Sequence, residues 1–160
     1  TRRGEEFVTR KITKNVARIQ NEYANGDFKP LELGNVDAKR DWSDAEDFVK
    51  GVWLMLNQEH PKEYVLSSNE THTIREFVEE AFNLAGFGFE KCRWEGRGVD
   101  EKYYHEDKVL VQINPAFYRP AEVDLLLGDS SLARRELNWN PQTDFLGLVR
   151  KMVDRDIQEY

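Results

Sequence analysis

Helical and extended periodicities alternate along this chain, and that alternation limits its fold more than any other feature. Phe7, Val8, Ile12, Val16, Ile19 and Tyr23 recur three and four residues apart, while Arg10, Lys14, Arg18 and Glu22 take another face. The pattern predicts a helix over 6–24, stopped by Asn25-Gly26. Leu31-Glu32-Leu33-Gly34-Asn35 reads as a short strand, with Gly34 suited to a close backbone approach or a positive φ. Ser43 to Glu46 has capping-box spacing ahead of Phe48, Val49, Val52, Trp53, Met55 and Leu56. That is a helix with a broad apolar face, expected to be buried against a sheet. Tyr64–Ser67 is a second strand, and Thr73 to Glu76 repeats the capping-box spacing. Ile74, Phe77, Val78, Ala81, Phe82 and Ala85 continue that helix until Gly86 stops it. Lys108–Ile113 is a third strand. A short helix runs from Ser130 through Leu137 and is broken at Asn138-Trp139-Asn140-Pro141. Thr143 or Asp144 can cap a last helix, with Phe145, Leu148, Val149, Met152, Val153 and Ile157 along one side. Helix and strand in alternation favour an α/β or α+β arrangement over an all-helical one.

Composition narrows the function classes. A chain of 160 residues with 39% hydrophobic residues and 12% aromatics suits one domain with a real core, not a disordered segment. The formal net charge of -7 argues against nucleic acid as a partner, because a phosphate-backbone binder needs a basic face. No apolar run is long enough to predict a membrane span. A single Cys92 makes no internal disulfide, so a reducing, cytoplasmic setting is expected. His60, His72 and His105 lack metal-ligand spacing, and no metal site is expected. Gly96-Arg97-Gly98 lacks the third glycine and the strand-to-helix setting of a dinucleotide fingerprint, and Ser67-Ser68 and Ser130-Ser131 lack a nucleophile elbow. No catalytic constellation is complete. The interval from Phe87 to Asp107 is rich in charge and glycine and is expected to be a mobile insertion or binding loop.

The most informative stretch for ligand chemistry is Phe117-Tyr118-Arg119-Pro120-Ala121-Glu122-Val123-Asp124. An arginine can grip a phosphate through two nitrogens, and a carboxylate three residues on can accept hydrogen bonds from vicinal hydroxyls. The same spacing also describes an ordinary surface ion pair. Likewise Thr9 and Lys11, at the start of the first helix, suit either an anion site or a solvated basic face.

Several blocks taken together favour the ligand readings. Arg2-Arg3-Gly4-Glu5-Glu6-Phe7-Val8-Thr9-Arg10-Lys11-Ile12 is very similar to the RRGxxFVTRKI segment of the GDP-mannose 4,6-dehydratases. Leu33–Trp42 resembles their LGNxxxxRDW, Phe117–Asp124 their Y[YF]RPxEV, and Gly128-Asp129 with Leu137–Pro141 their GD and L[GN]WxP. Asn138 stands where Gly is commoner, a tolerable change because Asn also accepts the left-handed turn.

The resemblance implies the C-terminal substrate-binding part of an extended short-chain dehydrogenase/reductase. Its fold would be α/β, with elements returning to the Rossmann sheet and Tyr64–Ser67 the best candidate among them. Residues 1–160 would form the nucleotide-sugar domain. The NADP-binding Rossmann half and the catalytic residues would lie outside this chain, which begins without methionine and reads as an excised piece with an exposed apolar face. In such enzymes NADP takes hydride from C4 of the mannose, a base removes the C5 proton, water leaves C6, and the hydride returns to C6. The product is GDP-4-dehydro-6-deoxy-mannose, which leads towards GDP-fucose.

Residue by residue, the resemblance assigns Arg3 to the cofactor and six residues to the substrate. Val8 by its backbone and Lys11 by its side chain would meet the GDP moiety, with Gly34 beside the guanine pocket. Arg40 would lie at the nucleotide phosphates, Arg119 would hold the diphosphate, and Glu122 the ribose hydroxyls. Lys11, Arg40 and Arg119 would set three cations against one diphosphate. The expected partner is GDP-mannose, and the parent is expected to be a homodimer or homotetramer. Another nucleotide-sugar epimerase or dehydratase, or a non-catalytic binding module, remains open at this point.

Overall fold

A computed structural model describes residues 4–118 and 125–160. In chain order its elements are α1 (Val8–Glu22), β1 (Leu31–Leu33), β2 (Lys39–Arg40), α2 (Ala45–Leu56), β3 (His72–Thr73), α3 (Ile74–Leu84), β4 (Cys92–Glu95), β5 (Lys102–His105), β6 (Lys108–Ile113), β7 (Leu125–Leu126), α4 (Ser131–Leu137) and α5 (Phe145–Glu159). A four-stranded sheet has the order β1-β6-β5-β4, with β1 parallel to β6 and the other pairs antiparallel. A three-stranded sheet has the order β3-β2-β7, with β2 parallel to β7.

The main core lies where α1, α3 and α5 meet the four-stranded sheet. Ile12, Val16 and Ile19 of α1, Phe77 and Phe82 of α3, Val149 and Val153 of α5, and Leu31, Leu110 and Val111 of the sheet are buried together. Local signals in the sequence account for the element ends. The turn after α1 closes on Gly26 at φ 77°. Thr73 caps α3: its hydroxyl accepts the Glu76 N–H at 3.0 Å, and the Glu76 carboxylate accepts the Thr73 N–H at 2.6 Å. Asp144, of the two candidates, caps α5 by accepting the Gly147 N–H at 2.7 Å. Asn138 ends α4 in the left-handed region at φ 51°.

Charge patterning adds a buried polar contact to this core. Arg10 and Asp156 are both buried and form an ion pair between α1 and α5, and Thr13 donates its hydroxyl to the same carboxylate at 2.5 Å. Arg10 also donates to Glu159 at 3.2 Å. The row Arg10, Lys14, Arg18 and Glu22, read as a second face of α1, is therefore split, with Arg10 turned inward.

Three expectations are corrected. The interval 87–107 is not a loose insertion: it supplies β4 and β5, which join the main sheet. Its alternation was hidden by charge at the exposed positions, but Tyr103 and His105 point into the core while Lys102 and Tyr104 lie outward. Trp94 packs on Tyr103 with ring centroids 4.8 Å apart, and the Arg75 guanidinium lies 4.5 Å from the Trp94 ring. Tyr64–Ser67 is not a paired strand among the described residues; it packs Tyr64 and Leu66 on the small core around Trp139. Finally, α2 is capped by Asp44, not Ser43, and its apolar face is not buried against a sheet. Val49, Val52, Trp53 and Leu56 are exposed, Leu56 at 78%.

The buried side of α2 is polar and narrow. Asp47 accepts the N–H groups of Gln142 and Thr143, each at 2.9 Å, and its carbonyl accepts the Trp139 indole N–H at 2.8 Å. Gly51 lets this contact form, since a Cβ there would stand 2.6 Å from Leu66 and 3.0 Å from the Trp139 nitrogen. Ala133, Leu137 and Trp139 thus form a second, smaller core with Leu54, Met55, Tyr64 and Leu66.

Candidate functional site

The first turn of α1, the end of β1 and the turn after β6 meet at one place. Phe7, which precedes α1, has no side chain able to cap a helix, and Val8 is the first helical residue. Its side chain packs on the main core, which fixes how the helix start is presented. One turn on, the Lys11 ammonium lies 3.8 Å from the centroid of the Phe117 ring. Burial pushes the Lys11 pKa down, against the opposing pull of the Glu32 carboxylate.

Gly34 meets the same residue from the other side. A Cβ at position 34 would fall 2.3 Å from the Phe117 carbonyl oxygen, a backbone atom that no rotamer change can move. The close-approach reading of this glycine therefore holds. Gly34→Ala should displace Phe117 and lower stability by about 1–3 kcal/mol, the usual scale of overpacking. Equilibrium unfolding checks this; an unchanged midpoint would mean that the turn adjusts freely.

Lys11 and Phe117 also border a cleft of about 890 Å³, with Asn15, Arg18, Glu32 and Gln112 among its walls. Glu32, Gln112 and Asn114 escaped the sequence reading. In Leu31-Glu32-Leu33 the alternation turns Glu32 away from the buried leucines, but only the β1–β6 register shows that it sits opposite Gln112. Gln112 and Asn114 donate to its two carboxylate oxygens at 3.0 and 3.1 Å. Phe117 is the residue on which Lys11 and Gly34 converge.

Arg40 stands on β2 of the three-stranded sheet, paired with His72 on one side and Leu126 on the other. Its neighbours divide the labour of the Arg-Asp-Trp motif. Asp41 accepts the Ser68 N–H at 3.1 Å and its hydroxyl at 2.7 Å, while Trp42 packs on Phe77 and Phe145. The motif is thus anchored by its second and third residues.

Arg3, Arg119 and Glu122 fall outside the described residues. The described flanks of the segment 119–124 are nevertheless informative. On one side Phe117 touches Lys11 and Gly34; on the other, Leu126 pairs with Arg40.

Comparison with known proteins gives the same direction. The family model described as GDP-mannose 4,6 dehydratase matches residues 1–152. The GDP-mannose 4,6 dehydratase of Drosophila melanogaster is 48% identical over 98% of this chain and 38% of its own length. That of Homo sapiens is 43% identical over 98% of this chain and 41% of its own. The chain therefore spans less than half the length of these relatives. Among solved structures, RMD from Pseudomonas aeruginosa complexed with NADPH superposes with a TM-score of 0.75 at 17% identity, covering 99% of this chain and 45% of that one. UDP-glucose 4-epimerase from Bifidobacterium longum, in complex with NAD+ and UDP, superposes with a TM-score of 0.64 at 16% identity, covering 96% and 39%. At such identities the likeness is one of fold: this chain shares the α/β fold of a part of each of these two proteins. The matching family model and the relatives identical at 43–48% place the sequence more narrowly: this chain belongs to the GDP-mannose 4,6-dehydratase family.

Proposed function

We propose that this chain is the nucleotide-sugar-binding part of a GDP-mannose 4,6-dehydratase. The whole enzyme would convert GDP-mannose to GDP-4-dehydro-6-deoxy-mannose and water. The observation that carries the reading is the convergence of Lys11 and Gly34 on Phe117, beside a cleft, at the edge of the segment that holds Arg119 and Glu122. Val8 and Lys11 take the GDP moiety, Arg40 and Arg119 the phosphates, and Glu122 the ribose hydroxyls. Holding a diphosphate-linked sugar at several points orients the hexose for chemistry elsewhere in the enzyme.

NADP, when bound, supplies the oxidation at C4 and the matching reduction at C6. The described residues do not fit a site for it. Gly26 and Gly86 follow helices, Gly96 closes a turn against Asp100, and among the described residues no glycine-rich turn leads from a parallel strand into a helix. Cofactor binding and the catalytic residues are therefore assigned to a Rossmann domain outside this chain, with Arg3 as this chain's contribution. The exposed apolar face of α2 supports that division, because it suits an element completed by another part of the polypeptide. The parent is proposed to act in the cytoplasm as a homodimer or homotetramer.

Two measurements test the proposal. Titration of the intact enzyme with GDP-mannose, UDP-glucose and dTDP-glucose should favour the guanosine sugar, and preference for either of the others would overturn the substrate. This chain alone, incubated with GDP-mannose and NADP, should form no 4-keto sugar; product formation would relocate the catalytic groups into it.

A further inference from the structure

Glu32 is the acidic residue of β1, and the strand's own alternation sends it to the cleft. Leu31 and Leu33 are 1% and 4% exposed in the core, so Glu32 occupies the opposite face and lines the cleft with Lys11. Each of its carboxylate oxygens is held by one amide from the neighbouring strand and its continuation, Gln112 at 3.0 Å and Asn114 at 3.1 Å. Hydrogen bonds from Asn114 and Gln112, with the Lys11 charge, keep the carboxyl below the usual range. An ionised carboxylate has about four acceptor directions, so both oxygens retain capacity after these two bonds. Lys11 does not consume it: its ammonium lies over the Phe117 ring. A plain surface carboxylate needs no such bracing from two amides.

We propose that Glu32 and Lys11 read the guanine base of the nucleotide sugar, Glu32 accepting from N1–H and the 2-amino group and Lys11 donating to O6. The proposal rests on the reading of this cleft as the nucleotide-sugar site. Along its pairing edge guanine presents two donors and then an acceptor; a carboxylate beside an ammonium presents two acceptors and then a donor. Uracil and thymine offer one donor between two acceptors, and adenine an acceptor beside a donor. Either would set a lone pair against the charged carboxylate, which is rejection as well as lost attraction. Lys11 therefore serves the base, and the phosphates fall to Arg40 and Arg119.

The test is competition against GDP-mannose in the intact enzyme, using GDP, IDP (which lacks the 2-amino group) and XDP (which carries a carbonyl there). The wild type should bind IDP about 10- to 100-fold more weakly than GDP, the range of one good base-edge contact. Glu32→Gln should bring GDP and IDP within about threefold of each other and should raise XDP affinity, because an amide matches the N1–H and carbonyl of xanthine. A gain for XDP cannot come from misfolding. Equal affinities for GDP and IDP in the wild type, or equal losses of both in Glu32→Gln, would overturn the assignment while leaving the nucleotide-sugar site in place. Failure of the wild type to bind GDP-mannose at all would remove that site too.

Discussion

Asp156→Ala is expected to destabilise the protein by about 3–5 kcal/mol, the cost of stranding a buried charge. The change removes the partner of the Arg10 guanidinium and the acceptor of the Thr13 hydroxyl in the α1–α5 interface. Glu159 reaches Arg10 at 3.2 Å but is itself partly exposed, so it offsets the loss only in part. The value of the pair lies in not being broken, which makes a second variant diagnostic. Arg10→Met with Asp156→Leu removes both charges and fills the space, and should recover most of the stability, since buried ion pairs often exchange with apolar groups at little cost. Urea unfolding of the three proteins measures this. A double variant no better than Asp156→Ala would mean that the interface needs its polar geometry and not merely its neutrality.

Trp139→Ala should cost a similar amount, about 3–5 kcal/mol, through a different mechanism. Trp139 is 2% exposed and forms the middle of the smaller core, between α4, α2 and the Tyr64–Leu66 segment. Its loss leaves a cavity and takes the indole N–H away from the Asp47 carbonyl, which keeps only its place in the α2 helix. Trp139→Phe keeps most of the volume and should lose only about 0.5–1.5 kcal/mol, the net worth of the lost indole hydrogen bond. The order Ala worse than Phe, in thermal or denaturant melts, is the expected result; equal losses would make the indole hydrogen bond the dominant contribution.

These two positions also show what could be read from the residues. Motifs that act through their own backbone were legible: the Thr73–Glu76 capping box, the Asp144 cap, and the left-handed Asn138 all stand as their chemistry demands. So was Gly34, although the partner that needs its missing side chain, the Phe117 carbonyl, could not be named. Features that depend on what lies opposite were not legible. Helical spacing on α2 reports an apolar face but not what covers it, and in this chain Val49, Trp53 and Leu56 face outward. Trp139, taken for a helix breaker, organises the smaller core through Asp47 and Gly51. Glu32 gave only the alternation of its strand, because its meaning arises from the register that places it beside Gln112. Arg3, Arg119 and Glu122 rest on the family resemblance and on the position of their described neighbours.

The central claim is that the segment following Phe117 grips the diphosphate of GDP-mannose. In the intact enzyme, Arg119→Ala should weaken GDP-mannose binding by about 2–5 kcal/mol, the scale for losing one partner of a charge-assisted contact, and leave NADP binding nearly unchanged. Calorimetric titration of each ligand into wild type and variant gives both numbers. A large loss for GDP-mannose alone is the predicted result; equal losses for GDP-mannose and NADP would mean that this stretch supports the fold and not the ligand.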